Sequence, residues 1–341
     1  MQALLERLHR LLLSYQNPQP EVDKNHNIGL QFAASRQVMN NPWFTEKSVK
    51  MAIGGIAHAL EPSKVEKWLS DYEIPVRNPK NIGVVMAGNV PLVGFHDFLS
   101  VLVAGHNLIA KTSSDDNDLL PVIGRIMTDY EPQLKNRIMF TDDRLMGFDA
   151  VIATGSNNTS RYFKHYFGKY PHIIRKSRNS LAVLTGTETP DELSGLCRDI
   201  FSYYGLGCRN ISKLYVPENW DTACIIPHTE KWMDYTDHHK YMNNYVYQQA
   251  VFQMHKINYT DTGNLLLVEH PELSSPVSVV YYERYNSIEK VVADIGQLRN
   301  EIQCICGNIG QLCDTPMGKS QQPELWDYAD GIDTMRFLTS I

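Results

Sequence analysis

From residue 82 onward, short apolar runs alternate with stretches of helical periodicity. That alternation constrains the fold more than any other feature of the chain. IGVVMA, NLIAKTS, NRIMFTD, DAVIATGS, HIIRKS and SLAVLTG read as strands, and LVGFHDFLSVLVAG, DLLPVIGRIMTDY and NNTSRYFKHYFG read as the helices among them. A short unbroken apolar run suits a strand buried on both faces. Strands separated by helices predict an α/β architecture with a parallel, doubly wound sheet. Such sheets take ligands beyond the carboxyl ends of their strands. The turns after VVMA, LIAK and VIATGS are therefore expected on one edge. Gly105 fits a helix-ending C′ glycine, and Pro121 falls near the first turn of the second helix.

Residues 1 to about 75 read as helices. In MQALLERLHRLLLSYQ, Glu6, Arg7, His9 and Arg10 interrupt an apolar stripe of helical spacing, which predicts an amphipathic helix rather than a signal peptide or membrane span. No other run approaches spanning length, so a cytoplasmic protein is expected. Ser63-Lys64-Val65-Glu66 has the pattern of a capping box, as does Thr189-Pro190-Asp191-Glu192. The second opens the helix ELSGLCRDIFSYYG. SKLYVP, NLLLVEH, SPVSVVYYERY and IQCICGNIG read as later strands, with the amphipathic helix IEKVVADIGQLR among them. Residues 215–265 are mixed and hard to assign, and the tail QPELWDYADGIDTMRFL shows no clear period.

The 341 residues exceed what one core usually organises, so two domains or one large α/β unit are expected. A net charge of -6 gives no bulk attraction for nucleic acid or an anionic membrane. The six cysteines are Cys197, Cys208, Cys224, Cys304, Cys306 and Cys313. In a reducing compartment they should be free thiols. Cys304, Cys306 and Cys313 lack the spacing of a zinc site, so no metal is expected and QCICGNIG reads as a strand with buried thiols. His238 and His239, adjacent in a polar stretch, are expected on the surface.

One cysteine differs in its setting. In YYGLGCRNISKLYVP, Cys208 stands at a glycine-flanked turn between a helix and a strand. A sulfur there can face a cleft, with backbone N–H groups close to whatever it attacks.

Taken in order, GNVPL, IAKTSS, IATGS, GLGCRNISKLYVP and ELSSPVSVV resemble the aldehyde dehydrogenase superfamily. They are similar to its Asn-x-Pro turn, its Lys-Pro-Ser cofactor turn, its Thr-Gly-Ser turn, its nucleophile segment and its Glu-x-Phe-Gly-Pro-Val segment. The nucleophile segment has a cysteine, four residues, a basic position and then a strand. NPWFT, GNVP, GLGCRN and WDYADGIDTMRFL most resemble the LuxC-like acyl-CoA reductases, which include the fatty-acid reductase of bacterial bioluminescence. The narrower resemblance runs from about residue 40 to the end.

The resemblance implies a Rossmann-like parallel-sheet cofactor domain and an α/β catalytic domain carrying the nucleophilic cysteine. It gives a helical segment at 1–75, a nicotinamide-cofactor domain at 76–188, a catalytic domain at 189–320 and a tail at 321–341 that packs back or oligomerises. Cys208 would attack a thioester. The side-chain amide of Asn89 and the Cys208 N–H would meet the oxyanion. Lys111, with Ser113 beside it, would bind the adenosine ribose, and Glu272 the nicotinamide ribose. Gly155 and Ser156 would open a helix near the pyrophosphate. In the register of HIIRKSRNSLAVL, Ile174 stands where hydrolytic relatives carry a general-base glutamate. That departure points to acyl transfer between thiols instead of hydrolysis.

The expected activity is NAD(P)H-dependent reduction of an acyl-CoA, or a related thioester, to the aldehyde. NADPH is favoured by Ser113 and Ser114, although Asp115 and Asp116 follow, and NADH remains open. An acyl phosphate or acyl carrier protein donor, or a non-catalytic acyl-binding scaffold, are the alternatives. Homo-oligomerisation is implied by the superfamily.

Overall fold

The computed structural model describes residues 1–17 and 23–341; the expected helical region at 18–22 lies outside the described residues. The chain divides into two compact units, residues 1–177 with 322–341, and residues 178–321.

The first unit opens with α1 (Gln2–Gln16), α2 (Lys24–Asn40), α3 (Glu46–Ala59) and α4 (Pro62–Leu69). Leu4, Leu5, Leu8, Leu11 and Leu12 of α1 follow the helical period and are buried in the core shared with α3 and α4. Each contributes roughly 1.5–3 kcal/mol by leaving water. The start of α4 corrects the sequence reading. Its N-cap is Glu61, Pro62 takes the first turn, and the Ser63 hydroxyl donates to the Glu61 carboxylate instead of capping. Proline's fixed φ suits the first helical position, so the helix begins before the expected box.

Five parallel strands follow, β1 (Asn81–Val85), β2 (Asn107–Lys111), β3 (Ile138–Thr141), β4 (Ala150–Thr154) and β5 (His172–Arg175), in the order β3-β2-β1-β4-β5. The crossovers carry α5 (Phe95–Ala104), α6 (Leu119–Tyr130) and α7 (Asn157–Phe167). Gly105 ends α5 in the left-handed region, as the sequence predicts. The chain steps one way from β1 to β3, then resumes on the other side at β4. The carboxyl ends of β1 and β4 therefore flank the switch point where such sheets bind ligands.

The second unit has a six-stranded sheet ordered β11-β6-β7-β10-β9-β8. Its strands are β6 (Asn179–Val183), β7 (Ile211–Pro217), β8 (Tyr259–Asp261), β9 (Leu266–Glu269), β10 (Val279–Tyr285) and β11 (Ile302–Cys306). All pairs are parallel except β8 with β9. The helices are α8 (Pro190–Phe201), α9 (Ile226–Thr229), α10 (His239–Met254) and α11 (Ile288–Leu298). The capping box predicted at Thr189 and Glu192 is formed. The chain ends in the first unit with α12 (Thr334–Ser340), which buries Met335 and Leu338 in that unit's core. Among the described residues, no helix is long and apolar enough to cross a membrane.

Candidate active site

Cys208 lies between the end of α8 and the start of β7. The chain leaves α8 through Tyr203 (φ 51°) and Tyr204 (φ 59°), both left-handed, and then Gly205 (φ 78°). A left-handed non-glycine residue costs on the order of 1–3 kcal/mol and persists only where its surroundings impose it. Here they are packing and one asparagine. Both tyrosines are buried, and the Tyr204 ring lies 4.2 Å from Tyr235 and 4.4 Å from His238. His238 is therefore half-buried and caps α10 by accepting from the Tyr241 N–H, which corrects the surface assignment; His239 is exposed.

Asn210 is the residue the sequence reading missed. It is buried, and its amide nitrogen is shared among the carbonyls of Asp199, Ile200 and Ser202 at 2.9, 3.3 and 2.6 Å. Its Oδ1 accepts from the Gly207 N–H at 2.8 Å. One side chain thus closes the end of α8 and holds the residue before Cys208. The carbonyl of Cys208 accepts from the Ser180 hydroxyl of β6 at 2.9 Å. Asn210→Ala leaves these groups buried without their partner, and a loss of about 2–4 kcal/mol is expected. A urea midpoint within error of wild type would refute that role.

Glu272 approaches the same edge of this sheet. β7 and β10 are parallel neighbours, and both Cys208 and the segment 272–278 precede the amino ends of these strands. Glu272 is exposed. Cys208 is half-buried, whereas Cys304 and Cys306 are sealed in β11. Burial pushes the Cys197 thiol up to about 12. Burial likewise raises Cys224 and Cys313. Cys306 is raised because it shares a hydrogen bond with Cys304 and is buried. Among the described residues, no group of three or more His, Cys, Asp or Glu could hold a metal ion.

The remaining candidates belong to the first unit. Exposed Asn89 lies in the turn after β1, Lys111 ends β2, and Ser113 follows in the next turn. The two turns lie against each other: a Cβ on Gly88 would stand 2.5 Å from the Ser113 hydroxyl oxygen, so only glycine permits this approach. Lys111 Nζ donates to the carbonyls of Asp142 and Asp143 at 3.0 and 2.9 Å, which leaves one of its three donors. Asp116 joins the loops from the other side. Its Oδ2 accepts from the N–H of Leu92, a left-handed residue (φ 60°), at 2.6 Å.

After β4, Gly155 faces Thr159 and Phe163 so closely that a Cβ would stand 2.9 Å from the phenyl ring. Ser156 caps α7 by accepting from the Thr159 N–H at 3.2 Å. The turns of β1, β2 and β4 thus share one edge of this sheet, as predicted. On β5, His172, Ile173, Ile174 and Arg175 present no carboxylate. Arg175 is buried in an ion pair with Asp97 at 2.6 Å and donates to Thr334 of α12.

No protein-family model matches the chain, nor does any curated protein. Solved structures do. Aldehyde dehydrogenase 21 from Physcomitrella patens, in complex with the reaction product succinate, aligns with a TM-score of 0.65 over 99% of this chain and 83% of its own, at 13% identity. The fold is that of the aldehyde dehydrogenases. An acetylating aldehyde dehydrogenase from Geobacillus thermoglucosidasius shares the aldehyde dehydrogenase fold with a TM-score of 0.58, covering 95% of this chain and 85% of its own at 11% identity. Aldehyde dehydrogenase C from Pseudomonas syringae, complexed with NAD+ and octanal, gives 0.61 over 91% and 72% at 11% identity.

Proposed function

We propose that this protein is a LuxC-like, NAD(P)H-dependent acyl-CoA reductase that works through an acyl-cysteine. The observation that carries the reading is the Cys208 turn, a half-buried thiol held by Asn210 at the entrance of a strand in an aldehyde dehydrogenase fold. A thiolate is the strongest common nucleophile toward an acyl carbonyl. Cys208 Sγ bonds to the carbonyl carbon, the oxyanion is met by the Asn89 amide and the Cys208 N–H, and collapse breaks the bond to CoA sulfur. CoA leaves as its thiolate. The acyl group stays as a thioester on Cys208. The absence of a carboxylate on β5 supports transfer over hydrolysis, because no base stands there to activate water.

The residues fit a nicotinamide cofactor. Lys111 has a donor left for a ribose hydroxyl, and Gly88 and Gly155 keep their turns open where side chains would crowd them. Ser156 begins α7, whose first N–H groups suit a pyrophosphate. Glu272 would accept from the hydroxyls of the nicotinamide ribose. A bound reduced nicotinamide supplies the hydride that discharges the thioester as aldehyde. NADPH is the proposed form.

The test is intact mass of the protein incubated with a panel of acyl-CoAs and no nicotinamide. A mass gain equal to one acyl group, lost on adding NADPH or NADH with release of aldehyde, is expected. No adduct from any acyl-CoA overturns the donor assignment. Adducts from acyl phosphates or acyl carrier protein alone would transfer it to those donors. Asn89→Ala is expected to slow acylation by about 10²-fold, the loss of one oxyanion donor. An unchanged acylation rate would remove Asn89 from the chemistry.

A further inference from the structure

The strand that leaves the Cys208 turn also grips the segment that carries Glu272. Ser212 and Lys213 are consecutive on β7. The Ser212 hydroxyl donates to the Leu273 carbonyl at 2.8 Å. The Lys213 ammonium donates to the His270 carbonyl and, at 3.1 Å, to the Glu283 carboxylate. Glu272 lies between these two anchored carbonyls, and its own N–H donates to His270 Nδ1 at 3.3 Å. The His270 ring in turn stacks on Tyr281, centroids 4.4 Å apart, and Tyr281 is the β10 residue paired with Lys213.

The segment needs such holding. The β9 ladder reaches the His270 N–H, which donates to Tyr282, and residues 271–275 then run without regular structure. Lys213 itself is costly where it stands, with a side chain 1% exposed. Desolvation lowers its pKa, and the Glu283 carboxylate opposes that shift. A buried ammonium is tolerated only when paired and hydrogen-bonded. A strand interior would accept an apolar side chain without that cost.

We infer that Ser212 and Lys213 are positioning residues that fix His270–Leu273 from both sides and so set the Glu272 carboxylate for the cofactor's ribose hydroxyls. The inference rests on the role proposed above for Glu272. It makes β7 a shared support, with the nucleophile turn at its amino end and the ribose-binding segment held from its second and third residues.

The test uses the full chain as wild type, Lys213→Met, Ser212→Ala and the double variant. Glu283 keeps Lys290 at 3.6 Å when Lys213 is replaced, so the methionine variant leaves no bare carboxylate. Three quantities are measured: dissociation constants for NADPH and NADH by fluorescence, hydrogen exchange of the amides in 270–275, and acyl-adduct formation without nicotinamide. Cofactor binding is expected to weaken about tenfold in Lys213→Met and about threefold in Ser212→Ala. Exchange in 270–275 is expected to rise in both, with acylation rates within about twofold of wild type. Cofactor binding within twofold of wild type in folded variants overturns the inference. So does a parallel fall of acylation and binding, which marks a general structural role. If Lys213→Met does not fold, Ser212→Ala decides. A wild type that forms no acyl adduct but binds nicotinamide defeats the proposed reaction and leaves the clamp measurable. A wild type that binds no nicotinamide overturns the ribose assignment and the clamp's role together.

Discussion

Cys208→Ala is expected to eliminate both acyl-adduct formation and aldehyde production, with nicotinamide binding retained within about twofold. The proposed reaction needs a bond from a nucleophilic sulfur to the acyl carbon, and no substitute stands ready. Cys304 and Cys306 are sealed in β11. Cys197 is buried, with its thiol pushed up to about 12, so it is inert at neutral pH. Cys313 is half-buried and Cys224 exposed, but burial raises both thiols, Asp314 raises Cys313 further, and Asp221 and Glu188 raise Cys224 further. A residual adduct in Cys208→Ala, located to Cys224 by peptide mapping, would move the nucleophile there. Fold stability should hardly change, because Cys208 is only half-buried and the turn is held by Asn210 and by the Ser180 hydroxyl on the Cys208 carbonyl. The alanine keeps that carbonyl. A collapse in urea midpoint would therefore show that the sulfur is a packing atom of the turn, and the adduct assay alone would then no longer isolate its chemistry.

Much of this arrangement was legible before the structure. The three central strands of the first sheet, β2, β1 and β4, are buried on both sides, so IGVV, LIAK and AVIAT announce themselves as unbroken apolar runs. Their carboxyl-end turns then follow from topology. The Cys208 turn was legible through its glycines. Asn210, which holds it, was not, because its partners are carbonyls that converge only when α8 has ended through two left-handed tyrosines. No local pattern encodes that reversal; it depends on the aromatic packing of Tyr204 against Tyr235 and His238.

The stretch 215–265 was opaque for a similar reason. In α10, Tyr241, Tyr245 and Phe252 are buried while Val246, Tyr247 and Met254 are exposed, so apolar residues mark no single face. Lys213 was legible only as the basic position of a resemblance. That its ammonium reaches the His270 carbonyl follows from strand pairing between residues far apart in the chain.

Asp116→Asn is expected to change how stability depends on pH. The Asp116 side chain is buried, its Oδ1 has no hydrogen-bond partner among the described residues, and its Oδ2 holds the Leu92 N–H. Burial raises its pKa to about 7, the Leu92 hydrogen bond opposes that shift, and nearby Asp118 adds to it. Arg36 pairs with Asp118 and tempers its charge. The folded protein therefore holds a proton on Asp116 that the unfolded chain gives up near the ordinary carboxylate value of about 4. Its stabilising contribution is complete below about pH 4 and is lost as pH rises through about 7. A displacement of about 3 units corresponds to a ceiling of about 4 kcal/mol. The asparagine carries no titrating proton, and its Oδ1 can still accept from Leu92. Urea denaturation of the two proteins between pH 5 and 8 should give curves that converge or cross in favour of the variant as pH rises, by about 2–4 kcal/mol across the range. Parallel curves would show that Asp116 is ionised throughout. The same titration reaches the loops that carry Asn89 and Ser113, because Asp116 is the bond between them. Wild-type nicotinamide affinity should then weaken between pH 6 and 8 more than that of Asp116→Asn, because the buried charge, beside Asp118 and offset only by the Leu92 N–H, favours opening of the loops that Asp116 joins.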